Sequence, residues 1–171
     1  MRAYFLRIKA HMETTQEIAP PRHRSLLKGF LAGAIGGLAG AAAKAAAEAV
    51  YPPRTQGQIA PPAVLVNRMA GRSLSETEEE VSVQAIHWGF GALAGGVYGA
   101  LAEYQPLVTR RLGASFGLAL CGITHVSALP MMGLTESPGD QPAREHASEV
   151  VTHVIYGVTT ELTRRLARKA I

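Results

Sequence analysis

Glycines at four-residue spacing inside long uncharged runs constrain this chain more than any other feature. Gly29, Gly33 and Gly37 repeat every fourth residue, with Gly36 and Gly40 as a further pair. Gly91, Gly95 and Gly99 repeat in the same way, and so do Gly113 and Gly117. In water a helical glycine costs about 1 kcal/mol relative to alanine, so these segments would make poor soluble helices. In lipid no backbone group can be left open, so the helix persists. Small residues four apart then let two helices approach closely. Gly33, Gly37, Gly91, Gly95 and Gly99 are the expected helix-packing positions. The competing reading is a soluble helical bundle rich in Ala and Gly.

The uncharged runs set the number of helices. Val81 to Ala102 is 22 residues without a charge, and Leu112 to Thr135 is 24. A bilayer-spanning helix needs roughly 20 mostly apolar residues, and both runs meet that directly. Gly29 to Val50 and Val150 to Arg165 meet it only if they carry Lys44, Glu48 and Glu161 inside the membrane. The predicted fold is an all-α, polytopic membrane bundle of four transmembrane helices, spanning about 28–50, 81–103, 112–134 and 147–165. Residues 25–171 form this domain, and residues 1–24 form a polar tail broken by Pro20 and Pro21, with no apolar stretch resembling a cleaved signal peptide. Charged residues are only 18% of the chain, below the usual quarter of soluble domains. Mean hydropathy is a modest +0.10, because Gly and Ala stand where Leu and Ile would. The lone Cys121 excludes an internal disulfide.

Basic residues are unevenly placed. With four spans, the N-tail, the middle loop and the C-tail share one side and hold 12 Lys and Arg, against four (Arg54, Arg68, Arg72, Arg144) on the other. This predicts a bacterial inner-membrane protein with both termini in the cytoplasm. In the first outer loop, PPAVLVNRMAG predicts a short interfacial helix. SLSETEEE predicts a helix start, with Ser75 and Glu78 spaced as a capping box.

On this topology six ionisable groups from four helices fall at similar depth: Lys44, Glu48, His87, His125, Glu149 and His153. A charge at mid-bilayer costs on the order of 3 kcal/mol, so such groups face the bundle interior and pair. The expected pairing is Lys44 with Glu149 or Glu48, with the three histidines nearby. Histidine titrates near pH 6.5, so the set would serve as a proton relay or a pH-responsive switch. The bland alternative is structural hydrogen bonding between helices. A metal site on His87, His125, Glu149 and His153 is a further alternative, opposed by the Lys44 charge. Arg54, Glu145 and Glu161 are secondary candidates, Glu161 with Arg165 as an i+4 partner. Glu103 is expected to be solvated at the inner boundary, and Pro130 to distort the outer end of the third span, freeing the Val126 carbonyl. No Walker loop, dinucleotide fingerprint, nucleophile elbow or zinc-finger pattern is present, so no enzyme activity, cofactor or nucleic-acid partner is predicted.

Several segments carry a family resemblance: GAIGGLAGAAAKAAAEAVYPPR, APPAVLVNRMAG, IHWGFGALAGGVYGALAE, and HVSALPMMGLTESPGDQPAREHASEVVTHV running into ELTRRL. Together they cover most of residues 28–168, and the chain resembles the YagU-like family of bacterial inner-membrane proteins, a domain of unknown function. The resemblance implies an inner-membrane location and a link to survival in acid. By motif it carries over Lys44, Glu48, Pro52, Pro53, Arg54, His87, Glu103, His125, Pro130, Gly133, Glu145, Ser148, Glu149, His153 and Glu161. The chain departs from the family in a shorter outer loop without comparable cysteines and a longer N-tail, and His146 lies outside the pattern.

Three readings follow. The first is a proton- or pH-responsive channel, transporter or sensor contributing to acid tolerance, with Lys44 and Glu149 as its central pair and protons or a small solute as its cargo. The second is a non-catalytic scaffold whose glycine faces bind a partner span or a second copy. The third is a membrane metal-binding protein.

Overall fold

The computed structural model describes residues 23–55 and 57–171; the first 22 residues of the expected polar tail lie outside the described residues. The described chain is all-helical, with no strand. α1 is Leu26–Val50, α2 is Pro61–Ala70, α3 is Glu76–Ala102 and α5 is Ala143–Ala170. α4 covers 114–131 and changes pitch within itself: Ala114–Cys121 is α-helical, Gly122–Ala128 is a π segment, and Leu129–Met131 returns to α. Tight 3₁₀ turns over Pro106–Gly113 connect α3 to α4.

Local chemistry explains the boundaries. Ser25 caps α1 through the Lys28 N–H, and the helix stops where Pro52 and Pro53 have no N–H to continue it. Pro61 and Pro62 open α2, where missing N–H groups cost nothing, and Gly71 closes it in the left-handed conformation at φ 62°. α3 begins with the capping box of Ser75 and Glu78. In α4, Pro130 has no N–H to give the Val126 carbonyl, and the ladder adjusts upstream. The Leu129 N–H reaches back five residues to the Thr124 carbonyl, and the Ser127 hydroxyl donates to the Gly122 carbonyl at 3.0 Å. The disturbance expected from Pro130 is therefore a widened turn inside a continuing helix.

α1 lies between α3 and α5, and α5 also packs against α4. Glycine permits each approach. A Cβ placed on Gly33 would sit 2.1 Å from the Gly95 carbonyl oxygen, and one on Gly37 2.1 Å from that of Gly91. On its other side α1 presents Gly36 and Gly40 to Thr160 and Tyr156 of α5, and Gly117 of α4 meets the His153 carbonyl. The small-residue faces are thus occupied within the chain. α3 and α4 meet through a ring stack, Tyr98 on Phe116 at 4.2 Å.

The bundle is polar within and apolar without. The buried face of α5 carries Glu145, Ser148, Glu149, Thr152, His153, Thr160, Glu161 and Arg164. Leu31 and Ile35 on α1, Leu93 and Val97 on α3, Ile123 and Val126 on α4, and Leu162 and Leu166 on α5 are all exposed. Among the described residues two helices are long and apolar enough to cross a membrane, Leu26–Val50 and Pro106–Met131. The α4 run qualifies as expected, whereas the α3 run does not. In α3 the apolar run is diluted by Ser82, Gln84 and His87, whereas α1 from Leu26 to Ala43 carries a single charge, Lys28.

Candidate functional site: a buried ionic cavity

The end of the bundle where α1 finishes is capped by residues 51–55 and 57–60 and by α2. Beneath that cap lies a cavity of about 440 Å³. Lys44, Glu48, His87, His125, Glu149 and His153 all line it, and so does Arg54 from the capping loop. The six residues expected at one depth are therefore gathered around one space.

Glu149 is the centre of the arrangement. Its side chain is 4% exposed. Oε1 accepts from Arg54 Nη1 at 2.9 Å and lies 3.1 Å from His125 Nδ1. Oε2 has no hydrogen-bond partner, and His153 Nδ1 stands 3.7 Å from it. His153 Nδ1 instead donates to the Glu149 backbone carbonyl at 2.7 Å. A carbonyl can only accept, so that bond leaves a lone pair on His153 Nε2. The two imidazoles meet edge to face with centroids 4.8 Å apart. His125 sits within the π segment of α4, which places the Pro130-driven change of pitch at the residue that contacts Glu149.

Of the two partners expected for Lys44 the structure has Glu48, and the centre of the site is paired differently. Lys44 pairs with Glu48 on its own helix, and Glu149 is taken by Arg54. Lys44 and Glu149 are not the central pair. Arg54 was legible only as a secondary residue, because a charge in a loop carries no depth; its signal was the Pro52–Pro53 stop that turns the chain back over the bundle. That turn is laced to α5. Ser148 Oγ donates to the Tyr51 carbonyl. Glu145, 1% exposed, accepts from the Thr55 N–H at 2.9 Å and the Thr55 hydroxyl at 2.6 Å. Burial alone would raise the Glu145 carboxyl; the Thr55 hydrogen bonds and the Arg54 charge outweigh it, holding the group below the ordinary carboxylate range.

His87 is further from the chemistry. Its Nε2 lies 3.4 Å from the Ala41 carbonyl, and its ring meets Trp88 edge to face. It lines the cavity wall while contacting α1. Glu161 belongs to a different cluster, toward the opposite end of α5. It is fully buried, accepting from Tyr98 at 2.8 Å and from Arg164 and Arg165 at 2.6–2.9 Å. The expected Arg165 partner is present, and Arg164 and Tyr98 join it. Glu103 is not solvated: its side chain is 8% exposed, held by both Nε and Nη2 of Arg168 at 2.8 and 3.0 Å and by the Ser25 N–H. A carboxylate at a helix end is solvated by default, and only the return of α5 to that end supplies the arginine.

A second cavity of about 390 Å³ adjoins the first. Arg54 and Leu134 line both, so the Arg54 side chain forms part of the wall between them. Glu145 and Thr135 line the second space, and the buried Thr135 hydroxyl has no hydrogen-bond partner.

For a metal, His125, Glu149 and His153 each offer a ligand atom within 4.8 Å of the others. His87 is not part of that group. Arg54 already neutralises that carboxylate, so a doubly charged metal ion there would leave two positive charges uncompensated.

Comparison with protein families matches residues 38–162 to one described as "Protein of unknown function (DUF1440)". No curated protein and no solved structure matches.

Proposed function

Because the chain belongs to DUF1440, a family whose description names no activity, its chemistry must come from the site, and we propose that it is a four-span membrane protein whose capped cavity binds and releases protons. The observation that carries this reading is Glu149, buried between Arg54, His125 and His153 with one oxygen unpartnered.

The charge balance gives the mechanism. Lys44 with Glu48, and Arg54 with Glu149, leave the wall neutral while the imidazoles are neutral. A proton taken up by His87, His125 or His153 adds a charge with no carboxylate of its own, and Glu149 must be shared. At His125 the imidazolium would compete with Arg54 for the Oε1 that both contact. Winning that competition frees Arg54, and with it the wall between the two cavities. Acid on the capped side thus loosens residues 51–55, which is the behaviour of a proton-coupled transporter or pH sensor. The apolar exterior supports insertion of all four long helices, since buried charge and exposed leucine suit lipid. The bias of 12 basic residues against four supports cytoplasmic termini in a bacterial inner membrane. The YagU-like resemblance supports a part in acid tolerance. The scaffold alternative loses support, because Gly33, Gly37, Gly91, Gly95 and Gly99 are buried against one another within the chain.

Hydrogen exchange of the protein in lipid nanodiscs at neutral and mildly acidic pH tests the reading. Protection of the Tyr51, Arg54 and Thr55 amides should fall on acidification, and His87, His125 and His153 all changed to Gln should abolish that fall. An unchanged pH response in the triple variant would sink the proposal.

A further inference from the structure

The same cavity has features that a proton alone does not use. Of the charged groups in its wall, Lys44, Glu48 and Arg54 are already paired, and Glu149 is half paired. Glu149 Oε2 is the cavity's buried atom without a partner, and it is an acceptor. His153 Nε2 adds a lone pair, because its Nδ1 is committed to a carbonyl. The rest of the wall is mainly apolar: Leu65 of α2, Ile86 and Phe90 of α3, and Leu120 and Leu129 of α4. Phe90 is 47% exposed, so this wall reaches the molecular surface.

Three kinds of ligand can be set against that wall. An anion would enter beside two carboxylates and find both cations taken. A bare metal ion would use the donor atoms, leave most of the roughly 440 Å³ unfilled, and place its full charge against Arg54. An organic ammonium gives N–H donors to Oε2 and the imidazole lone pair, offers its charge to the Phe90 and Tyr156 rings, and fills the apolar volume with its carbon body. We propose that the cavity binds a small organic amine in its protonated form, with the ammonium on Glu149 Oε2 and the alkyl or aryl body against Leu65, Phe90 and Leu129. This inference rests on the reading of the cavity as a proton site, and adds the cargo that protons displace. Protonation of the facing His87, His125 and His153 would expel the amine.

The test is calorimetric titration of the full chain in phosphatidylcholine nanodiscs with benzylamine, using phenylacetate and zinc as charge controls. Saturable benzylamine binding at neutral pH is expected, weakened at least ~tenfold on mild acidification, with no binding of phenylacetate. Glu149→Gln should abolish it. Should that variant fold poorly, Leu65→Trp on the capping helix fills the cavity without touching a charge and should also weaken benzylamine at least ~tenfold. Binding of phenylacetate or of zinc in place of benzylamine overturns the proposal, as does benzylamine binding that survives both variants. A short-chain phosphatidylethanolamine that competes with benzylamine would identify the ammonium donor as a lipid; absence of competition would leave it a free amine. The exchange experiment without ligand separates the two readings. An intact pH response with no benzylamine binding removes the amine alone, and benzylamine binding with no pH response removes the proton site.

Discussion

Glu145, Glu149 and Glu161 share the buried face of α5, yet their surroundings give them different tasks. Glu161 has every oxygen engaged by Tyr98, Arg164 and Arg165, which is a structural lock. Breaking a buried ion pair from one side costs about 3–5 kcal/mol, because the remaining charge is stranded. Glu161→Gln should therefore lower unfolding stability in mixed micelles by about that amount, and a loss within error of zero would show that Arg164 finds water instead. Glu149 keeps one oxygen open, and so is the one suited to exchange partners. At the surface, Glu78 shows the simpler case. Its hydrogen bond from Arg72, aided by those from Ser75, lowers its carboxyl to about 2 from an ordinary 4.5. A lowered carboxylate contributes stability that is fully present above the ordinary value and is lost as pH falls toward the folded one. The protection factors of the Ser75–Glu79 amides, relative to intrinsic exchange at each pH, should accordingly fall between about pH 4.5 and pH 2, and Glu78→Gln should remove that pH dependence.

At the scale of elements, α1 and α4 are built on opposite principles. α1 is regular, and its glycines bring it against two neighbours at once. Gly33→Val would drive a Cβ to 2.1 Å from the Gly95 carbonyl, an atom of the backbone that cannot swing aside. Overpacking of this kind costs typically 1–3 kcal/mol, roughly, and sometimes more. Gly89, whose Cβ would meet nothing within 4 Å, is the control. Gly89→Ala should be neutral or stabilising by up to about 1 kcal/mol. Equal effects from the two substitutions would contradict this packing. α4 is irregular where it matters. Pro130→Ala restores the missing N–H, so the π segment should shorten and turn His125 away from Glu149. The expected readout is retained folding with a weakened pH response of residues 51–55.

Across the described helices, ionisable groups of α5 lie inside and leucines outside, the reverse of the usual water-soluble pattern. Exposed apolar area spread over all four long helices needs a cover. The purified chain should aggregate when detergent is removed and stay dispersed in nanodiscs. A monodisperse, detergent-free protein would overturn the membrane reading and the interpretation of the cavity with it. The helix order also matters at this scale. α5 returns between α1 and α4, so its polar face is enclosed on two sides and reaches the capping loop at one end and Arg168 to Glu103 at the other.

Much of this was open to a reader of the chain alone. Runs without charge, the Ser75–Glu78 cap and the prolines that open α2 fix where helices form, because those preferences are local and act within a few residues. The common depth of Lys44, Glu48, His87, His125, Glu149 and His153 also follows from counting along helices, since rise per residue is constant. Partner choice is different in kind. Whether Lys44 or Arg54 meets Glu149, whether Glu103 stays in water, and whether Pro130 ends a helix or widens it depend on which elements come together. Arg54 reaches the centre only because its loop folds over the bundle, and Glu103 is buried only because a helix 65 residues later ends beside it. Sequence fixes geometry along the chain; the energetics of a buried charge are set by neighbours across it, and those exist only once the helices have packed.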